Sequence, residues 1–145
     1  MKQITTHHDG HGRMEQIVVL AADEPATEPP GNSSHHRYEF FFRPAPYQHF
    51  PNGPDGDPET MQEPDIPLGV IQFQRGPFGA DGSTQGVLLN AVIAALVDHL
   101  EGFQCGPLAN RETALTITHL QEAMFWNRHR ADQRAQRGVL GSMSK

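Results

Sequence analysis

The sequence predicts an α+β fold, a small antiparallel β-sheet in the N-terminal half packed with a C-terminal two-helix hairpin. Three observations lead there. β-Branched or alternating apolar segments stop before Pro77, apolar residues recur at three- and four-residue steps after it, and most of the 12 prolines and 14 glycines lie before residue 87. At 145 residues and 37% hydrophobic content, the chain is expected to be a single domain with a modest core.

The strands come first. "EQIVVLAA", Glu15 to Ala22, is β-branched; "HRYEFFFRP", His36 to Pro44, alternates Tyr38, Phe40 and Phe42 with Arg37, Glu39 and Arg43; "GVIQFQRGP", Gly69 to Pro77, alternates Ile71 and Phe73 with Gln72 and Gln74. Such alternation predicts a sheet with one wet face. Between the strands, residues 23–35 and 45–67 are rich in Pro, Gly and acidic side chains. These fix φ, remove N–H donors and favour turns, so both stretches are expected to be loops without regular structure, the second a flexible loop or a flap.

The helices follow. Ser83 or Thr84 is a candidate N-cap for a helix reaching about Gln104, in which Leu89, Val92, Ile93, Leu96, Leu100 and Phe103 recur at helical spacing. Asn110 is placed to cap a second helix with Glu112 in its first turn, and Gly138 to end it after Arg134 and Arg137; its inward positions are expected to be Ala114, Ile117, Leu120, Ala123 and Met124. The hairpin thus spans residues 83–138. In "VLLNAVIAALV", Val87 to Val97, ten of eleven residues are apolar, and a helix apolar all round must be covered on every side. Either another copy of the chain covers part of it, or the long proline-rich loop folds over it.

Charge and motifs narrow the function. A net charge of −6 argues against general binding to DNA, RNA or an anionic membrane surface. The charge is segregated: residues 1–102 carry fourteen acidic and five Lys/Arg side chains, residues 103–145 three and six. One cysteine, Cys105, suits a reducing compartment, and the polar N-terminus resembles no signal peptide. "THHDGHG" places His7, His8, Asp9 and His11 together, but neighbouring ligands in a polar terminus converge poorly on Zn²⁺ or Ni²⁺ and no second ligand cluster accompanies them, so no metal is expected. GxSxG, P-loop, CxxC, HExxH and strand-linked GxGxxG motifs are missing, so neither a catalytic residue nor a cofactor is assigned.

The arginines of "WNRHRADQRAQRG", Trp126 to Gly138, are the sharpest signal. Trp126, Arg130 and Arg134 follow at four-residue steps, with Arg137 close by, and like charges so spaced repel by a few tenths of a kcal/mol. From spacing alone they are solvated charges at a helix C-terminus, partners for the acidic half, or a phosphate clamp with Phe103 or Trp126 as a stacking surface.

"GFQCGPLANRETALTITHLQEAMFWNRHRADQRAQRGVLG", with "IQFQRGP" and "GSTQGVLLNAVIAALVDHLEGFQ" before it, resembles the Acb2/Tad1-type helical hairpin of phage anti-defence sponges, the Thoeris anti-defence proteins of the first type and the related anti-CBASS proteins. The pattern is FQ-x-GP, RE[NT]AL, aliphatics with a tryptophan near the helix end, and R-x3-R-x2-RGV-x-G. It covers residues 69–141 well and the first 24 moderately; "ITTHHDGHG" is similar to the opening of prophage members. The resemblance implies a non-catalytic homo-oligomer, dimer-based and up to a hexamer, which sequesters cyclised ADP-ribose or cyclic oligonucleotides in the host bacterial cytoplasm. It implies Phe103, Thr113, Arg130 and Arg134 as ligand residues, with Thr113 where the family often has asparagine, and Arg111 at a second, cyclic-oligonucleotide site on a symmetry axis. The reading that competes with it is a protein-interaction module whose arginines meet carboxylates.

Overall fold

The computed structural model describes residues 1–5, 16–28 and 30–138. It is an α+β protein built as two compact units, Met1–Gln72 and Phe73–Lys145. The histidines at positions 7, 8 and 11 and Asp9 lie outside the described residues.

The first unit holds a four-stranded antiparallel sheet of order β1-β2-β3-β6, with β1 Lys2–Ile4, β2 Ile17–Ala21, β3 Arg37–Phe42 and β6 Ile66–Gln72. In antiparallel pairing directly opposed residues share a face. One face therefore carries Ile17, Val19 and Ala21 against Phe42, Phe40 and Tyr38. The other was expected to be wet, and there the structure differs. Val18 opposes Phe41 on the face of Arg37 and Glu39, and Val18 is 1% exposed. Consecutive Phe40, Phe41 and Phe42 cannot all point to one side, so apolar area falls on both faces.

The third strand is displaced from the expected Gly69 to Pro77. Pairing with β3 runs back through Pro67 to Ile66, with a register shift between Phe40 and Phe41 that leaves Leu68 without an opposite number. Pro67 is tolerated because β6 is an edge strand and the irregularity does not require its missing N–H. Beyond Gln72 the chain enters the second unit.

Residues 45–67 were expected to lack regular structure and do not. They contain a hairpin, β4 Tyr47–His49 paired with β5 Glu59–Met61. Pro51, Pro54 and Pro58 fall in the connection, leaving both three-residue strands free of proline. Turns close it, with the Gly53 amide donating to Phe50 O at 3.1 Å and the Gly56 amide to Gly53 O at 3.0 Å; Gly53, at φ +88°, adopts a conformation that L side chains rarely take.

In the second unit, α1 is Leu89–Gln104 and α2 Arg111–Gln136. α1 begins later than Ser83 or Thr84. The Thr84 and Arg75 backbones exchange hydrogen bonds of 2.9 and 3.0 Å, and Val87 O accepts from the Gln74 amide at 3.0 Å, so this stretch pairs as a bridge and cannot start a helix. The N-cap position is Leu88, which supplies no side-chain acceptor. α2 begins where expected: Asn110 Oδ1 accepts from the Thr113 amide at 2.7 Å, with Glu112 in the first turn. Gly138, at φ +69°, ends it.

The helices are antiparallel, clasped at the loop end by reciprocal 2.9 Å bonds between Gln104 and Asn110, and joined towards the other end by Asn127 Nδ2 donating to Asn90 Oδ1 at 2.9 Å. The less exposed positions of α2 are Thr113, Ile117, Leu120, Met124, Asn127, Ala131 and Arg134, alternating steps of four and three; on α1 they include Asn90, Ile93, Val97, Leu100 and Gln104. This is a two-helix seam of coiled-coil type. Ala114 and Ala123, expected inside, are exposed because each stands one position off that seam.

Candidate anion site at the open end of the hairpin

α2 has 26 residues and α1 16, so the C-terminal turns of α2 run past the start of α1. A groove of about 450 Å³ lies there, lined by Leu88, Leu89 and Asn90 from the start of α1 and by Asn127, Arg128, Arg130, Ala131 and Arg134 from α2.

Two features make the groove receptive to an anion. Its α2 wall carries three guanidinium groups, and Arg130 has no carboxylate partner among the described residues. The start of α1 forms the other wall, where a helix presents amides without intrahelical acceptors and the positive end of its dipole. Planar guanidinium forks bind phosphate oxygens bidentately, so this arrangement suits a phosphate or diphosphate.

The other residues singled out from the sequence lie elsewhere. Phe103, in the last turn of α1, is 40% exposed and meets His99 edge-to-face at 5.1 Å. Thr113 is in the first turn of α2, and Arg111 is its exposed first residue. At 1.5 Å per residue, Thr113 and Arg130 are about 25 Å apart along one helix. Within one chain, Phe103 and Thr113 therefore stand at the loop end, and Arg130 and Arg134 at the open end. Arg137 does not line the groove; its guanidinium folds back to Gln133 O at 3.4 Å. Trp126 does not line it either. Four-residue steps drift by about 40° on a helix of 3.6 residues per turn, which turns Trp126 outward, 65% exposed, to stand edge-on to Phe125 and His129.

Asn90 and Asn127 escaped the sequence reading as site residues. Their signal was present, since Asn90 is the one polar residue in the apolar run and Asn127 sits between Trp126 and Arg128. Neither could be paired with the other without knowing the register of the helices.

The fold and groove define a class: a small α+β protein whose helical hairpin offers a cationic recess of about 450 Å³ at its open end. The family described as Acb2/Tad1, hairpin domain, matches residues 67–131. The protein Thoeris anti-defense 1 of Bacillus phage SBSphiJ7 is 34% identical over 97 residues, covering 67% of this chain and 68% of that protein. The chain belongs to the Thoeris anti-defense 1 family.

Proposed function

We propose that this protein counters Thoeris defence in the host bacterial cytoplasm by sequestering its cyclised ADP-ribose messenger without chemical turnover, each ligand lying between two copies of the chain. The observation that carries this reading is the groove of Arg128, Arg130 and Arg134 against the amide end of α1. Two phosphates of a cyclised ADP-ribose match it in charge, and exclusion of water on closure strengthens the ion contacts.

Distance supports a site made by two copies. Phe103 and Thr113 cannot reach a ligand held by Arg130 and Arg134 of the same chain across about 25 Å, but an antiparallel partner brings its loop end to the open end of the first. α1 has the surface for such pairing. Leu89, Leu96 and Phe103, seven residues apart, are 48%, 46% and 40% exposed, alongside the seam that faces α2. In such a site Phe103 stacks on a base or ribose face, and Thr113, shorter than an asparagine and with one hydroxyl donor in place of two, meets the ligand through water. Arg111, exposed at the start of α2, is assigned to a second site for cyclic oligonucleotides of CBASS, at a symmetry axis of a dimer-based oligomer reaching a hexamer.

Sequestration works by mass action and needs tight binding and slow release. The test is incubation with cyclised ADP-ribose isomers, cyclic dinucleotides and cyclic trinucleotides. Messenger should vanish from the filtrate and return intact after heat denaturation. Return as fragments indicates an enzyme, and lack of stabilisation by every ligand leaves a protein-interaction module. Leu96→Glu should break the oligomer and weaken ligand binding together; a monomer that binds as well as the parent overturns the shared site.

A further inference from the structure

The floor of the groove contains a polar pair whose hydrogen-bond direction can be worked out atom by atom. Asn90 Nδ2 donates to the main-chain oxygen of Met124 at 3.4 Å. A carbonyl only accepts, so the Asn90 amide nitrogen must face it, and Asn90 Oδ1 is what turns towards Asn127. Asn127 therefore has to present its nitrogen, which it does at 2.9 Å. That leaves Asn127 Oδ1 without a hydrogen-bond partner among the described residues, in a part-buried side chain lining the groove about one turn from Arg130 and two from Arg134.

An oriented acceptor among guanidinium groups is poorly suited to a bare phosphate oxygen, which can only accept and would meet it lone pair to lone pair. It suits a donor carried by the same ligand. Left unmatched on closure, a desolvated carbonyl costs binding, so the group selects for ligands that supply a hydroxyl or amine there and against those that do not. Within a nucleoside diphosphate skeleton, the donors nearest the phosphates are the ribose hydroxyls.

We infer that Asn127, oriented by Asn90, is a specificity residue that accepts a hydrogen bond from a ribose hydroxyl of the ligand whose phosphates Arg130 and Arg134 hold. The inference rests on the proposed nucleotide-binding function. It separates two tasks within one groove: the arginines supply affinity for the diphosphate, and Asn127 distinguishes a ribose diphosphate from other polyanions. Asn90 is a positioning residue, since it meets Asn127 through its own amide and fixes which atom is offered.

Calorimetric titration with two probes, cyclic ADP-ribose and inorganic pyrophosphate, tests it. Asn127→Ala should weaken cyclic ADP-ribose about tenfold without weakening pyrophosphate, with Asn90→Ala intermediate. A purely structural part in helix register would weaken both probes equally, and that result overturns the inference, as does cyclic ADP-ribose affinity within twofold of the parent. Should Asn127→Ala not fold, the parent protein is titrated with cyclic ADP-ribose analogues lacking one ribose hydroxyl at a time. One analogue should bind about tenfold more weakly; no difference among them overturns the assignment. A parent protein that binds neither probe sinks the proposed function itself and this inference with it, whereas parent binding unchanged in Asn127→Ala removes the inference alone.

Discussion

The two units treat their charged side chains differently. In the sheet unit, Arg37 meets Glu39 at 2.9 Å, Arg43 meets Asp65 at 2.7 Å, and Asp23 takes the His36 amide at 2.8 Å with His35 alongside. In the helical unit, Arg111, Arg128 and Arg130 find no carboxylate partner among the described residues, although Asp132 and Glu122 are on the same helix. Charge that a fold has already neutralised holds structure. Charge that it leaves open is available to a ligand, and substitutions in the two units should therefore separate stability from binding.

The largest effect is expected in the groove. Arg130→Ala and Arg134→Ala should each weaken a bound diphosphate by about 1.5 to 3 kcal/mol through loss of charge-assisted bonds. For Arg130 the unfolding free energy should stay within about 0.5 kcal/mol of the parent, as for other surface side chains without structural partners. Titration paired with urea unfolding reads both quantities; binding unchanged from the parent in both variants would move the site away from the open-end groove.

Asp23 should show the reverse. Burial raises the pKa of its carboxyl, but hydrogen bonds from the His36 and Arg37 backbones and the nearby His35 outweigh that and hold it below the usual carboxylate value. A carboxyl with a depressed folded-state pKa stabilises the fold above its unfolded value of about 3.9, and that contribution is lost as pH falls through the still lower folded value. Asp23→Ala should cost about 1.5 kcal/mol at neutral pH and flatten the stability profile below about pH 4, with ligand affinity unchanged. A profile as steep as the parent's would show that other carboxylates carry the acid sensitivity.

Asn110→Ala sharpens the comparison from inside the helical unit, because there a polar side chain is fully engaged. Loss of the cap should cost about 1 kcal/mol of stability, while affinity falls less than in Arg130→Ala because Asn110 orients the start of α2 beside Thr113 and holds no phosphate itself. A fall in affinity as large as that of Arg130→Ala would mean that the loop end, and not the arginines, dominates binding.

How much of this was legible beforehand depended on whether the cause was local. Capping by Asn110 and termination at Gly138 are decided within a few residues, and both were readable. So was most of the antiparallel sheet, from β-branching in β2 and alternation in β3, although β1 was not anticipated. The start of α1 was not, because Thr84 is a good cap until Arg75 claims its backbone, and that pairing is invisible in either segment by itself. The hairpin within residues 45–67 was hidden by composition, since prolines counted over the whole stretch conceal that none falls within Tyr47–His49 or Glu59–Met61. Of the proposed ligand residues, Arg130 and Arg134 are brought to one groove by helical spacing, while the distance of Phe103 and Thr113 from them emerges only once both helices have lengths and a direction.

The smallest effect is expected at Arg43. Its guanidinium makes two bonds to Asp65, 2.9 Å from Nε and 2.7 Å from Nη2, the geometry that distinguishes a strong ion pair. The Asp65 carboxyl is held below its usual value by that hydrogen bond, so it stays ionised to a lower pH than an unpaired aspartate. Yet Arg43 is half exposed, and an ion pair open to water gains little because each partner is solvated almost as well alone and salt screens the rest. Arg43→Gln should leave both the unfolding midpoint and ligand affinity close to the parent's, at low and at high salt. A clear loss of stability that disappears in high salt would mean that the bidentate contact carries more of the sheet unit than its exposure allows. The contrast between the units would then rest on geometry more than on burial.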